Sequence, residues 1–367
     1  GLMYSGPDAP KADQEKGAAL FRQAAERGLP LGMLDYAEAL ALGAGVKQND
    51  RAAFSWYRQA AKEGLAAAML KTGLCYLEGC GCRADGEKAE KWLIRATSLG
   101  VDEAPVALGE AYADHRIENR NAVDALPLLK EAAGRGNVRA AYRLGQIYRS
   151  SLDVEADLPA AAGFFAEAAK HGHAGAAYEL GLLCYAGKGV AQDLPQAVKL
   201  LKKAAAAANP DAMFSLAVMY KQGHGVRADP AKAAAWFGTA ADLGSAAAQN
   251  SLGALYKEGC GVPQDEVRAF ELFREAAKQG DPLAQSNLGV MYMSGCGTAA
   301  APAKAYKWTR RAARQGNAEA QYNLGLMYYR GIGVAKDPRK AAEWISESKK
   351  QGFVPPKAAE KEQPKKA

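Results

Sequence analysis

Apolar positions recur at helical spacing through the stretch 320–352, AQYNLGLMYYRGIGVAKDPRKAAEWISESKKQG. The first set is spaced i, i+4, i+7, i+8 and consists of Ala320, Leu324, Met327 and Tyr328. The second set is spaced i, i+3, i+4, i+7 and consists of Ala341, Trp344, Ile345 and Ser348. Each set predicts one buried face of a helix. Between the two sets, Gly331–Gly333 predicts a helix end, and Asp337 followed by Pro338 predicts a helix start.

This two-helix pattern repeats every 36 residues without a register shift. The glycine at 325 recurs at Gly289, Gly253, Gly181, Gly145, Gly109 and Gly73, and alanine takes its place at Ala217 and Ala37. The alanine at 341 recurs in eight earlier repeats, from Ala305 back to Ala53. A fixed period of this length predicts a solenoid, and small residues at regular positions allow two helices to pack closely. The fold class predicted is therefore all-α, an α-solenoid with about ten 36-residue helix-turn-helix repeats.

The repeated residues resemble the Sel-one-like repeat (SLR) family, the 36-residue relatives of tetratricopeptide repeats. The shared pattern is Ala-x-x-x-Leu-Gly-x-x-Tyr, Gly-x-Gly-Val, Asp-x-x-Lys-Ala, Trp and Gly, and it extends over residues 1–352. The resemblance implies a right-handed superhelix that binds other proteins and has no catalytic residues. Two loops, 115–117 and 151–153, lack the paired glycines, so their geometry is expected to differ from the rest.

The unbroken register predicts a single solenoid domain over residues 1–352. Gly1–Tyr4 is in register with the second half of a first helix, so we expect the natural protein to extend upstream. Residues 353–367 are rich in Lys, Glu and Pro and are expected to form a flexible tail. Ala208 interrupts the column of glycines that close the second helices. We expect the helix that starts at Asp193 to be about one residue longer than its equivalents, with Asn209 forming its cap.

Composition narrows the possible functions only slightly. The net charge is +7, and the basic residues are interpreted as spread along the repeats, which argues against nucleic-acid binding. No apolar run is long enough to cross a bilayer as a helix, so no membrane span is predicted. The compartment stays open, because free cysteines favour the cytoplasm whereas SLR proteins are frequent in the bacterial periplasm and cell envelope.

The six cysteines are expected to be reduced. Cys75, Cys82 and Cys184 occupy apolar columns, as small buried residues do. Cys80, Cys260 and Cys296 occupy the middle of the glycine loops, where equivalent positions are about one repeat apart, roughly 10 Å, too far for a disulfide bond.

No catalytic, cofactor-binding or metal site is predicted. One interpretation of His171 and His173 is that they bind a metal ion. A position in a helix C-terminal turn explains them more simply. Cys80 and Cys82 lack the Cys-x-x-Cys spacing and a second pair. The five tryptophans share a column with Leu and Phe, which favours a core position over a binding stripe.

A partner-binding surface is the remaining candidate. On tetratricopeptide-like superhelices the first helix of each pair lines the concave side, and two variable columns would then face that groove. The predicted binding residues are Arg143, Arg149, Tyr185, Lys221, Lys257, Asn287, Met293, Asn323 and Tyr329. Their basic and aromatic character suits an extended acidic or amphipathic protein segment.

The sequence therefore predicts a non-enzymatic, monomeric scaffold or adaptor that needs no cofactor and binds another protein. Alternatives of a different class are a cell-envelope accessory protein for polysaccharide export or secretion, and an immunity protein that binds a secreted toxin. An enzyme or metal protein is a third hypothesis. The partner itself cannot be read from the sequence.

Overall fold

A computed structural model describes residues 10–354, and the regular secondary structure of this part of the chain is entirely α-helical, without a β-strand. The predicted half-helix Gly1–Tyr4 and most of the predicted tail lie outside the described residues. The helices are α1 Lys11–Glu26, α2 Pro30–Leu42, α3 Asp50–Lys62, α4 Ala66–Glu78, α5 Gly86–Ser98, α6 Glu103–Ala113, α7 Ala122–Gly134, α8 Val138–Ser150, α9 Leu158–Lys170, α10 Ala174–Ala186, α11 Leu194–Ala206, α12 Pro210–Gln222, α13 Pro230–Asp242, α14 Ala246–Glu258, α15 Glu266–Lys278, α16 Pro282–Ser294, α17 Pro302–Arg314, α18 Ala318–Arg330 and α19 Pro338–Lys350. The prediction of repeating helix pairs is confirmed. Even-numbered helices are the first helices of the repeats, and odd-numbered helices are the second.

The glycine column explains how each pair packs. Gly73 on α4 faces Leu93 on α5, and Gly253 on α14 faces Phe273 on α15. A Cβ added at either glycine would lie about 3 Å or less from that buried side chain, which is closer than real Cβ atoms normally approach. A bulky residue on the second helix therefore fills the space that the glycine leaves on the first.

Contacts divide the chain into two compact units, each with its own core. Unit 1 contains residues up to Ala176 together with Lys188–Val190, and unit 2 contains Ala177–Gly187 and the chain from Ala191 onward. Leu93, Leu129 and Leu144 are fully buried in the core of unit 1. Phe273 and Leu288 are central to the core of unit 2. The single continuous solenoid over residues 1–352 stays a prediction.

The second glycine of each glycine loop contacts the start of the second helix one repeat earlier. Gly261, after α14, lies against the carbonyl of Pro230 at the start of α13, and Gly333 lies in the same way against Pro302. Both glycines have positive φ, +74° and +68°. A Cβ there would overlap backbone atoms, so the position requires glycine for its conformation and for its close contact.

The two loops without paired glycines achieve the same contact differently, as their sequences led us to expect. The loop after α6 buries Ile117 against Gly86 at the start of α5. The loop after α8 places the Asp153 carboxylate 3.2 Å from the backbone N–H of Ala122 at the start of α7, which donates a hydrogen bond. The first loop therefore makes this contact mainly through the backbone of Arg116 and Ile117 against a glycine on α5, and the second makes it through the Asp153 side chain.

The prediction of a longer helix before Ala208 is wrong. Helix α11 has 13 residues, as α13 does, and Ala208 itself has a φ of +58°. Asn209 cannot form the left-handed cap because it is already the extended N-cap of α12, where its side chain accepts a hydrogen bond from Ala212 N at 2.8 Å. The register of the next helix therefore forces the left-handed conformation onto an alanine.

Replacing Ala208 with glycine is expected to stabilise unit 2 by about 1 kcal/mol, because glycine adopts positive φ without steric cost. The matched substitution in the opposite direction is Gly244→Ala. Gly244 lies in the same column and has a φ of +89°, and a Cβ added there would have no atom within 4 Å. Urea unfolding followed by circular dichroism measures both variants. A destabilising Ala208→Gly would contradict this account.

The tryptophan column is less buried than the sequence predicts. Leu200 and Leu272 are buried in this column, but all five tryptophans are only half-buried, and Leu20 is exposed. The fully buried position is the next residue along the helix, for example Leu93, Phe165 or Phe237. The tryptophans therefore cover the edge of the core.

Candidate protein-binding surface

In unit 2, four successive first helices present aligned rows of exposed and half-exposed side chains. We call this surface, on α12, α14, α16 and α18, the first-helix face. One row of small hydroxyl and amide side chains consists of Ser215, Ser251, Asn287 and Asn323. A half-buried apolar row, three residues further along each helix, consists of Val218, Ala254, Val290 and Leu326. A third row consists of Lys221, Lys257, Met293 and Tyr329.

The third row offers two cations and two apolar groups. Lys221 and Lys257 are exposed, and neither is paired with a carboxylate within residues 10–354. Met293 is half-buried. Tyr329 is among the few exposed large apolar side chains in the described part of unit 2, with 38% of its surface accessible. This row can therefore pair with acidic groups at one end and contact apolar groups at the other.

The polar row retains hydrogen-bonding capacity. Asn287 donates to Asn250 Oδ1 at 2.9 Å, which links α16 to α14. The Asn323 amide and the Ser251 hydroxyl make no hydrogen bond in the described part of the chain. Side-chain amides of this kind can donate to and accept from the backbone of an extended peptide.

Tyr185, at the start of unit 2, is less available to a binding partner than the residues of the third row. Its hydroxyl lies 2.9 Å from Nδ1 of His224, and the two rings are 5.7 Å apart. The tyrosine therefore holds the loop after α12 in place, and it contributes only its ring to the surface.

In unit 1 the predicted binding residues Arg143 and Arg149 already make contacts within the protein. The Arg143 guanidinium on α8 pairs with Asp114, which follows α6, and donates to Gln146 Oε1 at 3.1 Å. Its Nε is buried and has no hydrogen-bond partner among the described residues. Arg149 also has a partner. Neither arginine is free to bind an acidic ligand without losing an internal contact.

Other charges on the first helices of unit 1 pair in the same way. Lys71 Nζ lies 2.9 Å from Glu38 Oε1, and Arg139 Nε lies 2.7 Å from Glu110 Oε1. Both pairs link consecutive first helices. Unpaired cations on the predicted binding positions are therefore found in unit 2, at Lys221 and Lys257.

The lysine three residues after the N-cap aspartate has a role that the sequence alone did not reveal. Lys340 Nζ lies 2.9 Å from Asp337 Oδ2 and 5.6 Å from the centre of the Tyr328 ring. Lys88 and Lys232 make the same two contacts. The lysine lowers the pKa of Asp337 through its hydrogen bonds, and Asp337 also caps the helix by accepting from Lys340 N. Tyr, Asp and Lys recur together at the 36-residue period, and this recurrence in the sequence would have indicated the contact.

A ladder of buried glutamines also escaped the sequence analysis. Gln285 on α16 donates to the Ala277 carbonyl on α15 at 3.2 Å, and its Oε1 accepts from Gln315 Nε2, after α17, at 2.8 Å. The same contacts recur one repeat before and one repeat after, through Gln249 and Gln321. Glutamines at the 36-residue period in an apolar column were the available signal.

His171 and His173 both make contacts within the protein. His171 is the residue that follows α9, as the helix-end interpretation expects, and it lies 3.1 Å from Glu167. His173 Nδ1 accepts from Ala176 N at 3.1 Å, and its ring stacks on Tyr142 at 4.2 Å. Burial lowers the pKa of His173, which favours the neutral form that this acceptor role requires. Between residues 10 and 354 no three His, Cys, Asp or Glu side chains are arranged to hold a metal ion.

All six cysteines carry free thiols. Cys184 is buried as predicted, whereas Cys75 and Cys82 are half-buried. Burial, together with the nearby Cys80 and Cys82, raises the pKa of Cys75 to about 12. Cys82 Sγ donates to the Cys75 carbonyl at 3.4 Å. A thiol with so high a pKa is a poor nucleophile at neutral pH.

Comparison with known proteins identifies the family. The Sel1 repeat profile matches residues 1–29, 30–65, 66–101, 138–173, 174–209, 210–245, 246–281, 282–317 and 318–353. The chain belongs to the Sel1 repeat family. The segment 102–137, which is not matched, contains the first of the two loops without paired glycines. Sel1 repeat proteins are generally non-catalytic protein-interaction scaffolds.

Several solved structures are similar to this chain. The protective antigen c5321 of uropathogenic Escherichia coli, which has an SLR fold, is 33% identical, with a TM-score of 0.74 over 91% of this chain and 71% of its own. A Sel1 repeat protein from Oxalobacter formigenes is 28% identical, with a TM-score of 0.52 over 92% of this chain and 87% of its own. An immunity protein from Pseudomonas aeruginosa, Pa5087, is 20% identical, with a TM-score of 0.38 over 58% of this chain and 81% of its own.

A search of curated protein sequences gives no match. Among the described residues, no helix is both long and apolar enough to span a membrane.

Proposed function

We propose that this Sel1 repeat protein is a non-catalytic scaffold that binds an extended segment of another protein along the first-helix face of unit 2. The observation that carries the proposal is the set of three aligned rows on α12, α14, α16 and α18. The polar row can hydrogen-bond the backbone of the segment, and the apolar row can contact its side chains. Lys221 and Lys257 then select acidic residues at one end.

The spacing of the rows defines the expected ligand. Successive first helices are about 10 Å apart in a packed array, and an extended chain rises about 3.3 Å per residue. About three residues of the ligand therefore correspond to one repeat, and the four helices together would bind roughly ten residues. Acidic residues spaced three apart are expected opposite the lysines, and apolar residues opposite Met293 and Tyr329.

A display library of random dodecapeptides, selected on the purified protein, tests this proposal. We expect the selected peptides to share the acidic and apolar spacing described above. Lys221→Glu combined with Lys257→Glu is expected to weaken their binding at least tenfold by fluorescence anisotropy, and Asn323→Ala to weaken it several-fold. The matched control is Lys199→Glu with Lys203→Glu on α11, which changes the charge equally.

Selected peptides without this spacing, or peptides whose affinity is the same for the Lys221/Lys257 variant and the control variant, would overturn the proposal. The cell-envelope and toxin-immunity roles stay predictions, as does the monomeric state.

A further inference from the structure

The net positive charge is concentrated near the C-terminal end of the repeats. Residues 301–350 contain eleven Lys or Arg and four Asp or Glu, whereas residues 1–200 contain 23 and 25. The even spread of basic residues that we inferred from the sequence is therefore wrong for this segment. The excess coincides with α17, which contains five basic residues and no acidic one.

The five cations of α17 lie on one face. Each residue of a helix turns the chain by about 100°, so these positions fall within about 120° of arc. All five are exposed, and we call them the α17 cationic face: Lys304, Lys307, Arg310, Arg311 and Arg314. The opposite side of the helix is buried, through Ala305, Thr309, Ala312 and Ala313.

Within residues 10–354, no carboxylate pairs with this face. On α19, by contrast, Lys340 pairs with Asp337 at 2.9 Å, and Arg339 and Lys350 pair with glutamates at 3.3 and 3.0 Å. The difference begins at the N-cap, because Ala301 replaces the aspartate that pairs with the equivalent lysine in other repeats. Lys304 is therefore left without the ion pair that Lys340 has.

Aromatic rings hold three of these cations near the surface. Lys304 Nζ lies 5.4 Å from the centre of the Tyr292 ring, and the Arg310 guanidinium lies 6.0 Å from that of Tyr306. The Arg311 guanidinium lies 4.6 Å from the Trp308 ring. Cation–π contacts limit the conformations of long side chains while leaving their charge available, which reduces the entropy lost on binding.

We propose that the α17 cationic face binds an acidic helix of another protein. The cations at 304, 307, 311 and 314 are spaced i, i+3, i+7 and i+10, so they form a stripe parallel to the helix axis, about 15 Å long. Glutamates at the same spacing on a partner helix would form a matching stripe. The second helices before and after α17 in the chain, α15 and α19, carry mixed charges, so the uncompensated stripe is one helix wide.

Two other partners fit less well. A membrane surface is disfavoured because α17 exposes no large apolar side chain that could insert among lipids. A nucleic acid is disfavoured because its phosphates would extend beyond a stripe one helix wide, onto neighbouring helices that carry acidic residues.

The test uses the full chain and a synthetic alanine-based helical peptide with four glutamates at i, i+3, i+7 and i+10. We expect salt-sensitive binding by fluorescence anisotropy, and at least tenfold weaker binding of a peptide with the same composition in scrambled order. Lys307→Glu with Arg314→Glu is expected to reduce binding at least tenfold, and a peptide with lysines in place of the glutamates should then bind this variant. The control is again Lys199→Glu with Lys203→Glu.

Equal affinity for the striped and scrambled peptides would overturn the proposal, as would an unchanged affinity in the Lys307/Arg314 variant. Tighter binding to vesicles made of equal parts phosphatidylcholine and phosphatidylserine, or to single-stranded oligo(dT), would assign the face to a membrane or a nucleic acid instead. Self-association in sedimentation that the Lys307/Arg314 variant abolishes would assign it to a second copy of this chain.

Discussion

Replacing Gly261 with alanine is expected to lower the free energy of unfolding of unit 2 by about 2–5 kcal/mol. Positive φ costs a residue with a Cβ about 1–2 kcal/mol, and forcing an atom into a packed contact adds about 1–3 kcal/mol. At Gly261 both apply, since φ is +74° and the added Cβ would overlap the Pro230 carbonyl at the start of α13. Urea unfolding measures the total effect. Hydrogen exchange of peptides from α13 to α15 measures where the opening occurs.

Gly244→Ala separates the two causes. Gly244 has a φ of +89°, but a Cβ there would meet no atom within 4 Å, so only the conformational cost of about 1–2 kcal/mol is expected. Equal losses in the two variants would show that the close contact between the loop and α13 contributes nothing. Faster exchange at the start of α13 in Gly261→Ala, and unchanged exchange there in Gly244→Ala, is the expected pattern.

Replacing Gln285 with alanine is expected to destabilise unit 2 by about 2–4 kcal/mol. The change removes a buried side chain that links three helices and leaves a cavity. It also removes one of the two hydrogen bonds that Gln315 Nε2 donates and one of the two that the Ala277 carbonyl accepts, and Gly280 keeps the other of each. Gln285→Met, by contrast, fills the space with the residue that Met213 provides at the equivalent position. We expect it to cost only about 1 kcal/mol, from the lost hydrogen bonds.

Thermal and urea unfolding of both variants check this prediction. The double variant Gln285→Met/Gln315→Ala should be less destabilised than the sum of its single changes, by about 0.5 kcal/mol or more, because both changes remove the same hydrogen bond. Strict additivity, or equal costs for alanine and methionine, would mean that the ladder is not a coupled network.

The repeat register made most of the fold predictable. Glycine, alanine and aspartate each have a local physical role, in close packing, in left-handed turns or in capping, and this role recurs at the same spacing. Helix existence and order followed from these positions. Ala208 was mispredicted because local preference favoured a longer helix, whereas Asn209 was already required as the N-cap of the next one. Competition between neighbouring helices cannot be seen in either helix alone.

The candidate site was predictable only in part. Sequence columns identify which residues share a face, but not which of them already have partners. Arg143 and Lys257 look equivalent as surface cations, yet Arg143 is held by Asp114 from the preceding repeat, whereas Lys257 has no such partner among the described residues. Pairing across repeats depends on side-chain reach and on how the helices are offset, and a single sequence does not contain that information. The stripe of cations without acidic residues on α17 is present in the sequence. It was missed because the net charge of the whole chain does not show how charges are distributed among the helices.

The contact of each glycine loop with the second helix of the preceding repeat means that the packing module is out of phase with the helix pair. A module consists of one second helix, the first helix that follows it and the loop that returns to the start of that second helix. Tandem duplication of any segment one period long would preserve every such contact, wherever the duplication begins. Loss or gain of a few positions within one period would instead separate a loop from its helix. Copy number among the repeats that have glycine loops can therefore change in whole periods without a new interface having to arise.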